Sequence, residues 1–231
     1  MFISVLVVVR NGERFLAEAL QSISEQAIAN LEVIVVDGGS SDRSVAVAQA
    51  FPGIFLINQQ GEGLAAARNQ GVQAARGELI AFLDADDVWA RDKLQIQVAY
   101  LKAHPQCQIV IGRMIRFLQA GCLLPPSHQG TWLNRPTPAY TPGGVLARRS
   151  VFSHIGGFNA AFGIGCDSDW FVRVRDLRVQ VAVLPQVGLY KRIHEGNLSR
   201  DVAVYQREVL ALMRQSLARR KVRGERVSRK Q

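Results

Sequence analysis

Four apolar runs, at residues 3–9, 31–37, 54–58 and 79–83, recur through the first half of the chain. Helical periodicity fills the gaps between them. Residues 13–26 place Phe15, Leu16, Ala19, Leu20 and Ile23 on one face. A second helical stretch begins at Ser41 or Asp42 and runs to Ala50, stopped by Pro52-Gly53, and a third covers residues 64–75 and ends at Gly77. Short strands buried on both faces and separated by helices predict βαβ units, hence an α/β fold with a mostly parallel sheet flanked by helices. Right-handed crossovers then gather the carboxyl ends of the strands along one edge.

The second half is less regular. A helix at 91–103 is closed by His104-Pro105, and strands are predicted at 108–112 and 116–124, before Pro125-Pro126. Residues 127–144, rich in Pro, Gly, Ser and Thr and carrying Trp132 and Tyr140, read as a long surface loop that shapes a pocket with the Gly143-Gly144 turn. Helices at 148–154 and 168–176, strands at 179–184 and 187–193, and a last helix at 202–219 complete the pattern.

Candidate chemistry concentrates where the fourth apolar run stops. Residues 78–87 read Glu-Leu-Ile-Ala-Phe-Leu-Asp-Ala-Asp-Asp. Side chains two apart on an extended strand point the same way, so Asp84 and Asp86 project together from its carboxyl end, and Asp87 points away. Two converging carboxylates repel unless a cation lies between them, and a hard divalent ion, Mg²⁺ or Mn²⁺, suits such oxygen donors. The competing reading is a helix start, with one Asp capping the helix at 91–103.

Composition narrows the class. A chain of 231 residues with 48% apolar and 20% charged residues can build one substantial domain. No run approaches the roughly 20 apolar residues of a membrane span. Residues 1–9 have no basic residue before the apolar run and no small-residue cleavage site, and read as a core strand rather than a signal peptide. Cys107, Cys122 and Cys166 form neither a disulfide framework nor a zinc pattern, which suits a reducing, cytoplasmic setting. Of the net charge of +9, residues 214–231 hold a net +7, from eight Lys or Arg and one Glu. That tail reads either as a solvated, partly disordered terminus or as a peripheral contact with the inner face of a membrane. Its basic residues are not interleaved with aromatics, which disfavours nucleic acid.

Several motifs fall in one order: Arg10-Asn11-Gly12-Glu13, Val36-Asp37-Gly38-Gly39-Ser40-Ser41-Asp42, Gly63-Leu64-Ala65-Ala66-Ala67-Arg68-Asn69-Gln70-Gly71, and Asp84-Ala85-Asp86. This order resembles the family 2 glycosyltransferases, which have a GT-A fold: a Rossmann-like, mostly parallel sheet flanked by helices, with a smaller acceptor-side portion. The resemblance covers residues 3–112 strongly and 140–200 more loosely. It implies a nucleotide-sugar-binding half at 1–112, an acceptor-binding and catalytic half of the same domain at 113–200, and a C-terminal helix with basic tail at 201–231.

The resemblance also implies roles. Val9, Asn11, Asp37, Arg68, Asn69, Asp84, Ala85 and Arg192 would bind the nucleotide-sugar, with Asp37 toward the nucleobase and Arg68 neutralising the diphosphate. Asp86 and His194 would hold a divalent metal, and Asp167 would be the catalytic base. Two departures stand out: many relatives carry an acid at the position of Gly38, and Cys166 replaces a Glu. The local pattern offers its own readings. Gly38 and Gly39 permit positive φ, with Ser41 or Asp42 capping the next helix. Asp167 lies three residues before Trp170 and four before Phe171, on the apolar side of its helix, where it also reads as an N-cap, and Asp169 is turned away.

The expected reaction is inverting transfer of a sugar from a UDP- or GDP-linked donor to a hydroxyl on a saccharide, a lipid-linked glycan or another acceptor. The competing readings are a sugar-phosphate nucleotidyltransferase, disfavoured by the short glycine-poor segment after residue 9, and a non-catalytic relative.

Overall fold

A computed structural model describes residues 1–124, 133–197 and 202–228. The four apolar runs form β1 (Ile3–Val9), β2 (Leu31–Asp37), β3 (Ile54–Asn58) and β4 (Leu79–Asp84), joined by α1 (Leu16–Ser24), α2 (Ser44–Gln49) and α3 (Gly63–Ala74). These strands are mutually parallel in the order β3-β2-β1-β4. Alternation in β1 explains the layering. Ile3, Val5, Val7 and Val9 face Leu16, Leu20 and Ile23 of α1, while Leu6 faces Ala65 and Ala67 of α3 on the other side. Both faces are therefore covered by helices, as β-branched strands without polar alternation require. Register places Val9 opposite Asp37 and Val8 opposite Asp84, so both carboxylates emerge at the same sheet edge.

The same sheet continues beyond β4. It adds β8 (Val145–Arg148), β6 (Ile109–Leu118), β9 (Val181–Ile193) and β5 (Val88–Trp89) in that order, with β7 (Thr137–Pro138) paired to β6. Contacts β4–β8 and β6–β8 are antiparallel and β6–β9 is parallel, giving a mixed sheet. Three helices pack on this half: α4 (Lys93–Ala103), α5 (Ser150–Ile155) and α6 (Cys166–Asp176). The final helix, α7, spans Val202–Ser228.

Several expectations change. The strands expected at 108–112 and 116–124 are one strand, β6, which stops at Leu118 where the chain turns at Gln119–Cys122, and those at 179–184 and 187–193 are one strand, β9. Register shifts between Ile111 and Met114 absorb the irregularity that divided the pattern. The two-residue strands β5 and β7, and β8, lack a legible period of their own. Within the segment read as a loop at 127–144, Thr137–Pro138 pairs with β6 as β7 and Pro142–Gly144 forms a 3-10 turn, and residues 127–132, with Trp132, lie outside the described residues. Gly143 and Gly144 are buried, and their carbonyls accept bonds from Trp89 Nε1 at 2.8 Å and Gln97 Nε2 at 2.9 Å. They serve packing; a Cβ on Gly144 would collide with Ala139. The last helix, expected at 202–219, runs on through Ser228 into the basic tail.

Candidate active site

Strand β4 ends at Asp84, and the chain turns at once: the Asp87 amide donates to the Asp84 carbonyl at 3.1 Å. This turn changes the expected geometry. Alternation stops at Asp84, and Asp87, expected to point away, converges instead. Among the described residues, ligand atoms of Asp84, Asp86 and Asp87 lie within 4.8 Å of one another. The stretch then enters β5 rather than a helix, so the N-cap reading of these aspartates falls.

Pairing of β5 with β9, Val88 opposite Tyr190, brings three basic side chains onto this turn. Lys191 Nζ stands 3.2 Å from Asp87 Oδ2 and 3.6 Å from Asp84 Oδ2. His194 Nε2 is 3.0 Å from Asp86 Oδ2, which also accepts from Asn197 Nδ2 at 3.0 Å. Arg192 is buried; its Nε donates to the Asp86 carbonyl at 2.9 Å, and its other nitrogens reach Gln119 and Glu18. Its guanidinium also lies over the rings of Phe15 and Phe117. Arg192 thus shapes the turn while committed to protein partners. Burial, reinforced by Asp86 and Asp84 against the pull of Lys191, pushes the Asp87 carboxyl up to about 7. Burial would lower Lys191, but Asp87 and Asp84 carry it above the usual lysine range.

Behind the turn, Arg68 of α3 is 2% exposed and forks between two carboxylates. Its Nη2 meets Asp84 Oδ1 at 2.8 Å, and its Nη1 meets Asp167 Oδ1. Burial opposes the charge at both acids. At Asp84, Arg68 and Lys191 together hold the carboxyl below its ordinary value, while at Asp167 burial and the nearby Asp84 outweigh Arg68 and raise it. Asp167 is in the first turn of α6 and makes no cap bond, so the N-cap reading does not hold. Cys166 Sγ lies 3.5 Å from Asp167 Oδ1; burial and that carboxylate push the thiol up to about 12. Asp169, expected to face away, is fully buried and paired with Arg173 at 2.8 Å. The pairing with Arg173 one turn on gives the carboxylate an interior partner that helical spacing alone did not weigh.

The remaining predicted residues frame the same edge. Asn11, at φ 53°, accepts the Ser41 amide at 2.8 Å, and the Val9 carbonyl accepts that of Gly38 at 2.8 Å. Asp37 accepts the amides of Gly39 and Ser40 at 3.1 Å each; Asp42 accepts the amide of Ser44 at 2.9 Å, but the cap position of α2 is Arg43, without a side-chain cap bond. Gly39 takes φ 78°, whereas Gly38 is confined by Gln59, 3.0 Å from where a Cβ would stand. Ala85 sits in the turn itself. Asn69 holds the Phe158 backbone at both ends, at 2.7 and 2.8 Å, against a Gly157 that leaves no room for a Cβ. A pocket of about 630 Å³ lies beside it, lined by Asn69, Arg149, Phe152 and Phe158, and none of the carboxylates lines it.

Lys191 is the residue that sequence reasoning missed. Its neighbour Arg192 was the expected ligand contact, and only the β5–β9 pairing separates them. Glu208 was missed as well. From α7 it accepts the amides of Gly163, Ile164 and Gly165 at 2.7, 3.1 and 2.6 Å, fixing the start of α6. An acid on a largely exposed helix gives no sign of such a role.

The sheet order, a parallel β3-β2-β1-β4 half continued by mixed strands and flanked by helices, is the GT-A arrangement; in it Asp37 and Asp84 end β2 and β4, and Asp167 of α6 meets Asp84 through Arg68. The sequence profile described as Glycosyl transferase family 2 matches residues 4–156, and the chain belongs to that family. A protein of Bacillus subtilis named as a glycosyltransferase, EpsH, is 42% identical over 89 residues, covering 37% of this chain and 26% of that protein. The UDP-Glc:alpha-D-GlcNAc-diphosphoundecaprenol beta-1,3-glucosyltransferase WfgD of Escherichia coli is 33% identical over 102 residues, 43% of this chain and 40% of its own. The chain thus matches well under half the length of these curated relatives. Among solved structures, S. aureus TarS 1-349 in complex with UDP-GlcNAc has a TM-score of 0.73 at 21% identity, covering 95% of this chain and 66% of that one. The mannosyltransferase PcManGT from Pyrobaculum calidifontis, in complex with GDP-Man and Mn²⁺, scores 0.63 at 24% identity over 84% of this chain and 58% of its own. Among the described residues no helix is long and apolar enough to cross a membrane.

Proposed function

We propose that this chain transfers a sugar from a nucleoside-diphosphate sugar, UDP- or GDP-linked, to an acceptor hydroxyl, with inversion and with help from a divalent ion. One observation carries the reading: a single buried guanidinium, Arg68, ties the carboxylate at the end of β4 to the carboxylate that opens α6. Two acids from distant parts of the chain are thereby held in one site, one on the donor side and one on the acceptor side.

The donor set fits a hard cation. Asp86, with His194 against it and Asp84 beside it, offers oxygen and imidazole ligands suited to Mn²⁺ or Mg²⁺. Such an ion, when bound, stabilises negative charge on the departing diphosphate. Asp167 accepts the proton of the acceptor hydroxyl, whose oxygen forms the new bond to the anomeric carbon as the carbon–oxygen bond to the nucleotide breaks. Its raised affinity for protons makes it a stronger base than an ordinary aspartate. Arg68 keeps Asp167 aimed, and Lys191 adds fixed positive charge beside Asp84. Val9, Asn11, Asp37 and Ala85 border the nucleoside side. Tyr140, exposed and edge-on to Phe171 at 5.5 Å one turn from Asp167, offers an aromatic wall for a saccharide acceptor. A single base on the acceptor side suits inversion. The donors named for TarS and PcManGT, and the lipid-linked acceptor named for WfgD, are in keeping with this reading.

A thermal-shift panel of UDP, GDP, CDP and dTDP, each with and without Mn²⁺, tests it together with product analysis. One nucleotide should stabilise the fold preferentially with metal, and turnover of the matching sugar donor should release free nucleoside diphosphate. Pyrophosphate release would instead establish a nucleotidyltransferase, and neither binding nor turnover would establish a non-catalytic relative.

A further inference from the structure

Among its described side chains, helix α7 is held by one side. Leu212 and Ser216 are buried, Ser216 Oγ donates to Asp176 Oδ1 at 3.0 Å, and Arg219 reaches the same carboxylate at 3.2 Å. Glu208 is turned inward onto the amides that open α6. About a third of a turn away lies a different surface. Leu210, Met213 and Leu217 are 60%, 55% and 65% exposed, and at 3.6 residues per turn they fall within an arc of roughly 60°. The same projection sets Arg207, Arg214 and Lys221 along one border and Arg220 along the other, all exposed. Glu208 is the one acidic residue among positions 202–221, so this face carries no negative charge, its one neutral polar side chain within the arc being the exposed Gln206 at its N-terminal end.

We infer that this face of α7 lies on an anionic lipid bilayer, with Leu210, Met213 and Leu217 in the headgroup–acyl boundary and the flanking cations against lipid phosphates. Three exposed large apolar side chains in a row are disfavoured in water, and their cationic borders match an interfacial helix. A second copy of this chain fits poorly, because pairing two such faces would oppose like charges. Nucleic acid fits poorly too: the centre of the face is aliphatic, and Tyr205 is engaged with Ser168 at 3.0 Å. The contact differs from a purely electrostatic tail, since it depends on the apolar stripe. It also sets orientation, because α7 is bonded directly to the segment preceding Asp167, which places the acceptor side of the site near the lipid surface. In that respect the inference rests on the proposed transferase reading. Lipid binding needs no donor, however, so the two fail separately.

The test is co-sedimentation of the full chain with vesicles of phosphatidylglycerol and phosphatidylcholine, compared with phosphatidylcholine alone. Binding should favour the anionic vesicles by about tenfold or more, and L210E/L217E should lower it by a similar factor while circular dichroism and melting stay those of the parent. Absence of binding to anionic vesicles overturns the inference. So does binding that the double variant retains and salt alone removes, which would leave only the basic tail. Sedimentation velocity showing a dimer that L210E/L217E dissociates, or duplex RNA binding tighter than vesicle binding, would assign the face to those partners instead.

Discussion

Lys191 sets its ammonium 3.2 Å from the carboxylate of Asp87, whose side chain has no exposure at all. The pair shields a turn that carries three acids in close quarters. In Lys191→Met the Asp87 carboxylate loses its cation, and removing one partner of a buried pair costs about 3–5 kcal/mol. Asp87 can escape part of that cost by taking a proton, since its carboxyl already titrates at about 7. A carboxyl whose folded value is raised stabilises the fold when protonated, and that contribution is lost as pH rises from its unfolded value, about 3.9, through its folded one. The deficit of Lys191→Met should therefore grow with pH. Denaturant unfolding of parent and variant at about pH 5.5 and about pH 8.5 measures it; an equal deficit at both would show that Lys191 does not neutralise Asp87.

Arg68 governs the candidate base. Burial raises Asp167, with Arg68 opposing that rise. A base must be ionised to act, so the acidic limb of kcat/KM should lie above the ordinary aspartate range, and activity should fall as pH drops through it. Arg68→Met removes the opposing charge and should move the limb to higher pH, while lowering stability by about 3 kcal/mol through the broken buried pair. Arg68→Lys keeps a charge but cannot fork to both acids, and should retain more stability than Met. Should the limb stay fixed in both variants, Asp167 is not the group that titrates.

Glu208 acts at a distance through the start of α6. Three backbone amides converge on its carboxylate, and a Cβ on Gly165 would stand only 2.9 Å from Oε2. Glu208→Gln preserves shape but removes the charge that strengthens these bonds, a loss of about 1–2 kcal/mol. If Glu208 positions Asp167, kcat should fall several-fold with KM for the donor nearly unchanged. A rise in donor KM alone would place its influence elsewhere.

The parallel half of the sheet was legible because each of its strands is buried on both faces and each connecting helix has its own period. Local pattern therefore fixed β1 to β4, and with them the edge where Asp37 and Asp84 lie. The mixed half was not legible to the same degree. β5, β7 and β8 are two to four residues long and exist through long-range pairing, for which a single sequence carries no period. The same limit explains the site. Asp84 was placed by its strand, but Asp87 was misplaced because the chain turns one residue after β4, and Lys191 was missed because its partner strand is over 100 positions away. Asp169 went wrong for a neighbouring reason: helix spacing gives direction, but a buried ion pair with Arg173 reverses what direction implies about exposure.

Asp86 provides the sharpest test of cation binding. It is the least committed of the three acids: 28% of its side chain is exposed, and its Oδ2 meets His194 and Asn197 while Asp87 is locked onto Lys191 and the Arg192 amide. Asp86→Asn keeps an oxygen for those neighbours and removes the negative charge, so the fold should persist with melting close to that of the parent. The effect of the ion should not persist. A ligand at about 100 times its dissociation constant stabilises the native state by about 2.7 kcal/mol, and Mn²⁺ with the preferred nucleotide should give the parent a gain of that order. In Asp86→Asn the metal-dependent part of the gain should vanish, and in the parent excess EDTA should remove it. A manganese-dependent shift of equal size in parent and variant would place the cation away from Asp86, and with it the stabilisation of the leaving diphosphate.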